Sequence, residues 1–308
     1  MIADGRTPVY VITGFLGSGK TTLVNRLVSK QSESLVIVNE FGEIPVDHHL
    51  LESSEERTVA LPNGCLCCRL RGDLEETLIG AAMRRRRGEI AGFDRVIVET
   101  SGLADPGPVA QTLFADQALA RDFKLGPVVA VVDAADAGGR AAAPAIARAQ
   151  IAAADVVVLS KTDRAIDPSI AKDEIHSINS RAALIEARFG ELDPALLKSG
   201  TDHVFPAAAH PAGIRSFALQ FDQPVERALL ERFLAVLVDL RGADLLRVKG
   251  VVALDNGERV LVQGVRHVFD RLRPVEMPAT GLVFITQVFG KEEIEALWRA
   301  MSKLKGTS

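Results

Sequence analysis

Residues 14–21 read Gly-Phe-Leu-Gly-Ser-Gly-Lys-Thr, and they follow an apolar, strand-like run, Val9–Thr13. Glycines let successive backbone N–H groups curl around phosphate oxygens, and the first turn of a helix adds a field that favours anions. A helix is predicted at Thr21–Lys30, so the P-loop pattern has both flanking elements, which argues against a glycine-rich turn that binds nothing. We therefore predict a nucleotide-binding site. Its predicted phosphate-binding residues are Gly14, Gly17, Ser18, Gly19, Lys20, Thr21 and Thr22.

Four positions are predicted to handle the terminal phosphate and its metal ion. Lys20 is expected to reach the β- and γ-phosphates, and the Thr21 hydroxyl is expected to bind Mg²⁺. Glu99 lies near the end of the run Arg95–Thr100 and is expected to hold the Mg²⁺ shell, while Gly102 is expected to offer its N–H to the γ-phosphate. The alternative is a strand that merely ends in a polar cap.

The choice of base is predicted from residues 160–163, Ser-Lys-Thr-Asp, at the end of the apolar run Asp155–Ser160. The Asp163 carboxylate is suited to accept the two hydrogen bonds that guanine offers and adenine does not, and the Lys161 stem is suited to lie over the base. The pattern Lys-x-Asp is common by chance, so the prediction that GTP and GDP are the ligands depends on where the pattern lies, directly after an apolar strand. Ser160 stands where GTPases usually have Asn or Thr, which leaves the strictness of guanine selectivity open.

The order of strand-like and helix-like runs predicts a doubly wound α/β fold with a mostly parallel sheet. Near-continuous apolar strands that alternate with helices are typical of such sheets, which bind ligands at the carboxyl ends of the strands. The predicted strands are Val9–Thr13, Leu35–Asn39, Arg95–Thr100, Val128–Asp133, Asp155–Ser160 and His203–Pro206. The predicted helices are Thr21–Lys30, Asp73–Arg87, Val109–Phe123, Ile146–Ala153 and Pro168–Ser180.

The pattern changes after residues 206–211, and the remainder predicts a smaller α+β domain with a mostly antiparallel sheet. Its predicted strands are Ser216–Phe221, Leu246–Leu254, Arg259–Phe269 and Leu282–Val288, and its predicted helices are Val225–Leu240 and Lys291–Met301. We therefore predict a P-loop domain over residues 1–210 and a C-terminal domain over residues 211–308.

Composition excludes some classes of partner. The chain has 308 residues and a formal net charge of -4, so we expect no nucleic-acid binding. The sequence holds no apolar run near the ~18–20 residues that a membrane-spanning helix needs, and we expect no membrane partner. Three cysteines within four positions form a poor disulfide framework, which favours a reduced, cytoplasmic protein.

The cysteines Cys65, Cys67 and Cys68 predict a site for a soft transition metal. Thiolates suit zinc, cuprous copper and, less typically, cobalt or nickel, and three of them leave a fourth position for another donor. The nearby candidates for an additional ligand are Glu43, Asp47, His48 and His49. Glu40 lies in the same segment, after the second strand, and is expected to contact Mg²⁺ or the attacking water. Buried structural cysteines or a redox pair remain the alternatives.

The motifs together resemble the CobW-type GTPases, relatives of the maturation GTPases for hydrogenase and urease. The resemblance rests on six stretches in order: GFLGSGKTT, NEFGE, NGCLCC, ETSGLADPGPV, SKTD and the late LLRVKG…QGV. It implies a GTPase domain, a CobW C-terminal domain, Mg²⁺-dependent GTP hydrolysis and delivery of Zn²⁺ or Co²⁺. Two features depart from many members: Val38 replaces an acidic residue, and the C-terminal half lacks a His-rich stretch. These departures favour Glu43 and His48 as the additional ligands.

Our leading hypothesis is a metallochaperone that passes its metal to a client metalloprotein or cofactor-assembly enzyme when GTP is hydrolysed. Intrinsic turnover is expected to be slow, with acceleration by a partner or by a homodimer. A nucleotide-gated protein-binding switch with a structural zinc site is the alternative. A small-molecule kinase is a third hypothesis, which Lys161 and Asp163 disfavour.

Overall fold

The computed structural model describes residues 5–30, 33–38, 58–60, 69–115, 118–137, 144–187, 191, 214–279 and 281–303. The chain divides into two compact units, of which the first carries the P-loop. The domain boundary predicted at residues 210 and 211 lies outside the described residues and stays a prediction.

The N-terminal unit is built on a seven-stranded sheet in which every neighbouring pair is parallel. Its strands are β1 (Thr7–Thr13), β2 (Ser34–Val38), β3 (Thr58–Ala60), β4 (Arg95–Glu99), β5 (Phe123–Asp133), β6 (Val156–Ser160) and β7 (Ala183–Glu186). Their order across the sheet is β3-β2-β4-β1-β5-β6-β7. This arrangement confirms the predicted doubly wound α/β fold and places the end of β1 between the ends of β4 and β5.

The helices of this unit connect successive parallel strands. They are α1 (Lys20–Lys30), α2 (Arg69–Arg86), α3 (Gly107–Ala115), α4 (Leu119–Asp122), α5 (Ala134–Ala137), α6 (Ala145–Ala153) and α7 (Pro168–Ile178). Leu23, Val24 and Leu27 of α1 pack into one apolar cluster with Tyr10 and Ile12 of β1. Burial of these side chains anchors the P-loop between β1 and α1.

The helix predicted at Val109–Phe123 is wrong at its end. The structure has two shorter helices, α3 and α4, and Phe123 begins β5, where it pairs with Thr7 of β1. Gly126 and Pro127 are residue types that disfavour a strand interior, but the β1–β5 register shifts between Val9 and Val11 and accommodates them. The strand predicted from Val128 therefore starts five residues earlier.

Two strands of the N-terminal sheet were missed. The short β3 and β7 were not predicted, because three or four residues carry too little periodic signal. The strand predicted at His203–Pro206 lies outside the described residues.

In the described residues, the C-terminal unit has an antiparallel sheet and two helices, which confirms the predicted α+β architecture. Its strands are β8 (Arg215–Leu219), β9 (Leu245–Ala253), β10 (Arg259–Val265), β11 (Val268–Phe269), β12 (Arg273–Pro274) and β13 (Gly281–Thr286). Its helices are α8 (Arg227–Arg241) and α9 (Lys291–Lys303). The strand order is β11-β10-β9-β13-β8, and β12 pairs with β10.

One predicted strand of this unit, Arg259–Phe269, is in fact a hairpin. β10 and β11 are joined by a tight turn at Arg266 and His267, with Val265 paired to Val268. Arg266 adopts a φ of 55°, and its guanidinium donates a 2.8 Å hydrogen bond to the Ala243 carbonyl oxygen. The turn was missed because it contains no glycine or asparagine, the residues that usually occupy the left-handed region.

Aromatic packing forms the core of the C-terminal unit. The Trp298 ring meets the rings of Phe221 and Phe233 edge-on, with centroids 4.8 and 5.2 Å apart. Phe233 is fully buried on α8, whereas Leu240 on the same helix is 59% exposed. Over the described ranges, neither unit contains a helix long and apolar enough to cross a membrane.

We expect Phe233→Ala to destabilise the C-terminal unit by about 3–5 kcal/mol, because the substitution leaves a cavity beneath Trp298. Urea unfolding followed by tryptophan fluorescence measures this unit selectively, since Trp298 is the only tryptophan in the chain. Leu240→Ala is the matched control on α8 and should shift stability by at most about 0.5 kcal/mol. Equal effects of the two substitutions would contradict the assigned packing.

Candidate functional site

The phosphate-binding turn begins where β1 ends and depends on glycine at its first position. Gly14 has a φ of 144°, and a Cβ there would lie 2.3 Å from the Val131 carbonyl oxygen of β5. The chain then turns so that the Ser18 N–H donates to the Phe15 carbonyl oxygen at 3.2 Å, and α1 starts at Lys20. The observed strand, turn and helix are those that the P-loop pattern predicts.

The Lys20 side chain folds back over this turn. Its ammonium nitrogen donates to the Phe15 carbonyl oxygen at 3.2 Å, and the residue is only 9% exposed. The buried ammonium therefore lies against the phosphate-binding turn, and its predicted contact with the β- and γ-phosphates stays a prediction. Thr22, also predicted to contact phosphate, is exposed in the first turn of α1.

Thr21 and Glu99 meet at the adjacent strand end. The β1–β4 register pairs Ile12 with Glu99, and this brings the Glu99 carboxylate to the start of α1. The Thr21 hydroxyl donates to it at 2.7 Å, and Glu99 is 2% exposed. A hydroxyl and a carboxylate oxygen form a hard-oxygen pair of the kind that Mg²⁺ prefers. The two predicted Mg²⁺ residues are thus neighbours in space, although 78 positions separate them.

Ser160 is tied to the P-loop. Its hydroxyl lies 2.6 Å from the Ser18 carbonyl oxygen and 3.2 Å from that of Val132, and the residue is 7% exposed. Ser160 donates its hydroxyl proton to the protein backbone, and its predicted contact with the nucleotide stays a prediction. This bracing of the P-loop by β6 was missed, because a pattern along the chain does not show which loop a side chain meets.

Lys161 makes a second link to the P-loop. Its ammonium donates to the Gly17 carbonyl oxygen at 2.7 Å and pairs with Asp133 at the end of β5, at 2.6 Å. Asp133 was not predicted, and its only sequence signal is an acidic residue closing an apolar strand. The Asp163 carboxylate stays accessible on the same loop, 3.9 Å from the Arg164 guanidinium. Its predicted contact with guanine remains a prediction.

Gly102 packs directly against the phosphate-binding turn. A Cβ at Gly102 would lie 2.8 Å from the Leu16 backbone nitrogen, so only glycine fits so close to the P-loop. The structure therefore places the segment after β4 beside the P-loop, and the predicted contact of Gly102 with the γ-phosphate stays a prediction.

The predicted transition-metal site lies outside the described residues. It comprises Glu43, His48, Cys65, Cys67 and Cys68, and the predicted catalytic residue Glu40 lies outside them as well. Within the ranges that the structure covers, no group of three or more His, Cys, Asp or Glu side chains is arranged to hold a metal ion. The assignment of these six residues stays a prediction from sequence.

Comparison with known proteins matches both parts of the chain to family models. The model described as CobW/HypB/UreG, nucleotide-binding domain, matches residues 8–186. The model described as the cobalamin synthesis protein cobW C-terminal domain matches residues 214–302.

Individual relatives extend over nearly the whole chain. The sequence is 34% identical to the zinc chaperone YjiA of Escherichia coli (strain K12), over 96% of this chain and 98% of that protein. It is 31% identical to the zinc chaperone CobW of Pseudomonas aeruginosa, over 86% of this chain and 82% of that protein. The crystal structure of Zn(II)-bound YjiA GTPase from E. coli superposes with a TM-score of 0.67 and 26% identity, covering 96% and 99% of the two chains.

We expect Ser160→Ala to weaken nucleotide binding about tenfold, because an unpaired Ser18 carbonyl costs about 1–3 kcal/mol and frees the P-loop to move. Titration with a fluorescent guanine nucleotide measures the change. Ser29→Ala, which removes an exposed hydroxyl bound to the Arg26 carbonyl oxygen in α1, is the control and should leave affinity unchanged. Equal affinity of Ser160→Ala and the unmodified protein would exclude the bracing role.

Proposed function

The chain belongs to the CobW/HypB/UreG family, and from this premise we propose that it hydrolyses GTP and delivers a transition metal to a client. The proposal rests on the observation that β2, β3 and β4 end at the same edge of the sheet as the P-loop. The β2–β4 register pairs Val38 with Glu99, and the β2–β3 register pairs Val38 with Ala60. β2 and β3 therefore both end at the sheet edge where Glu99 meets Thr21, and in the sequence Glu40 and the cysteines follow these two strands.

The nucleotide half of the proposal assigns each step to residues at this edge. Lys20 binds the β- and γ-phosphates, Gly102 offers its N–H to the γ-phosphate, and Glu40 orients the attacking water. Thr21 and Glu99 hold Mg²⁺, which neutralises phosphate charge when bound. Residues 14–22 contain no arginine, so we expect slow turnover until a partner supplies a cation.

The metal half of the proposal rests on Cys65, Cys67 and Cys68, with Glu43 or His48 as the additional ligand. Zinc is the proposed cargo, because the relatives reported above are zinc chaperones and thiolates favour soft metals. Cobalt is the second candidate. Because the thiols must stay reduced to bind metal, we propose a cytoplasmic location.

We propose that hydrolysis links the two halves. The γ-phosphate orders the segment after β2, and its loss relaxes that segment and the cysteine segment together, so that the metal passes to a client metalloprotein or cofactor-assembly enzyme. Leu16, which contacts Gly102, and Leu103, which follows Gly102 in the chain, are about half exposed, at 55% and 48%. They give the client, or a second copy in a homodimer, an apolar contact beside the γ-phosphate.

The guanine preference is tested by Asp163→Asn. An amide at this position no longer accepts both hydrogen bonds from guanine, so we expect GDP affinity to fall at least about 100-fold. Asp167→Asn is the matched control on the same loop, where the side chain accepts from the Ser169 N–H at 2.9 Å and asparagine preserves that role. Unchanged GDP affinity in Asp163→Asn would place base recognition elsewhere.

The coupling is tested by titrating Co²⁺ and Zn²⁺ into the reduced protein with GDP or with a non-hydrolysable GTP analogue. Thiolate-to-Co²⁺ absorption reports on Cys65, Cys67 and Cys68 alone, because the chain has only three cysteines. We expect tighter metal binding with the GTP analogue than with GDP.

Serine substitution of the three cysteines is the control for this titration and should abolish the absorption while leaving GDP affinity intact. Metal affinity that is independent of the nucleotide would instead support a structural zinc site in a nucleotide-gated switch. Unfolding of the serine variants would support the same alternative.

A further inference from the structure

Gln150, on α6, is hydrogen-bonded to the segment that follows β4. The residue is 1% exposed, and its side-chain nitrogen donates to the carbonyl oxygens of Ala104 at 2.9 Å and Gly102 at 3.2 Å. Both partners are carbonyl oxygens, so only the NH₂ end of the amide can satisfy them. Each of its two N–H groups is thus used by the same short segment.

This segment is confined from two sides. On one side its backbone at Gly102 touches Leu16 of the P-loop so closely that a Cβ would lie 2.6–2.9 Å from Leu16 atoms. On the other side its carbonyl groups are bound by Gln150. A trans peptide group points its C=O and N–H in opposite directions, so holding the Gly102 carbonyl fixes the peptide plane on the carboxyl side of Gly102.

We propose that Gln150 is a positioning residue that sets the γ-phosphate-sensing segment, residues 101–106, in its working orientation against the P-loop. The inference rests on the proposed GTPase function and adds a residue that no motif along the chain indicates. Gln150 acts through the backbone of Gly102 and Ala104 and has no direct contact with the nucleotide.

Because Gln150 lies on α6, it connects this segment through the chain to the loop Ser160–Asp163. α6 ends at Ala153, and β6 begins at Val156 and leads into Ser160 and Lys161, which brace the P-loop. α6 therefore contacts the sensing segment, and β6, the strand that follows it, contacts the phosphate-binding turn.

Hydrogen bonds, more than close packing, hold the Gln150 amide in place. A cavity of about 60 Å³ lies between the P-loop, the end of β5 and α6, and both Gln150 and Ser18 line it. Among the described residues, neither the Gln150 amide oxygen nor the Ser18 hydroxyl has a hydrogen-bond partner. Because space adjoins the amide, an apolar side chain of similar length fits there without strain.

The test compares Gln150→Met and Gln150→Glu with the unmodified protein. Methionine keeps the length of the side chain and removes both donors, whereas ionised glutamate keeps the shape and repels the two carbonyl oxygens. We expect faster amide hydrogen exchange over residues 101–106 in the nucleotide-free protein, and a kcat for GTP hydrolysis about tenfold lower. GDP affinity should stay unchanged, because GDP has no γ-phosphate for the segment to contact.

The pH dependence gives a readout that a merely structural role does not predict. Protonated glutamate regains one O–H donor, so the kcat defect of Gln150→Glu relative to the unmodified protein should shrink as the pH falls. Gln263→Met, which replaces a 9% exposed glutamine in β10, is the control and should leave exchange over residues 101–106 unchanged.

The outcomes separate this inference from the proposed function. Unchanged exchange over residues 101–106 in both variants, or faster exchange with unaltered kcat, overturns the role of Gln150. If the unmodified protein hydrolyses no GTP, the proposed function fails, while the exchange measurement still decides whether Gln150 holds the segment. Loss of GDP affinity in Gln150→Met would show a general structural role and would also overturn the inference.

Discussion

The pairing of β1 with β4 on one side and β5 on the other is the constraint on which the rest of the N-terminal unit depends. Val9, Val11 and Ile12 of β1 are completely buried, so packing on both faces of the sheet holds this strand between its two neighbours. With the register held, β1 delivers the P-loop between the ends of its two neighbours. Glu99 then lies within hydrogen-bond distance of Thr21, and the Val131 carbonyl stands behind Gly14. The site is a consequence of strand register more than of any loop's own preference.

One kind of hydrogen bond recurs around this edge of the sheet. A side chain from a neighbouring element donates to a backbone carbonyl oxygen of a loop beside the predicted phosphate site. Lys161 binds the carbonyl of Gly17, Ser160 that of Ser18, and Gln150 those of Gly102 and Ala104. Each bond directs a carbonyl oxygen, which would repel phosphate, toward the protein. The N–H of the same peptide group then points in the opposite direction. Such preorganisation reduces the reorganisation needed when a charged ligand arrives.

The parts of this arrangement that could be predicted from sequence are those written in consecutive residues. The P-loop, the acidic end of β4 and the Ser160–Asp163 loop each have a local pattern, and parallel strand order brings them together. The roles of Ser160 and Gln150 have no such pattern, because their partners lie 142 and 46–48 positions away. The start of β5 at Phe123 was hidden by Gly126 and Pro127, and the turn at Arg266 by the absence of a turn-forming residue. In both cases strand pairing overrode local preference.

Lys161 combines its two contacts with a φ of 53°, a left-handed backbone conformation that a residue with a Cβ adopts at some energetic cost. Glycine or asparagine would relieve that strain, yet neither carries an ammonium to reach the Gly17 carbonyl and Asp133. Selection for folding stability and selection for a working site thus pull this position in opposite directions. A search for thermostable variants that scores only backbone conformational energy would replace Lys161 by glycine or asparagine. That choice would be wrong, because the strained lysine holds the phosphate-binding loop in place.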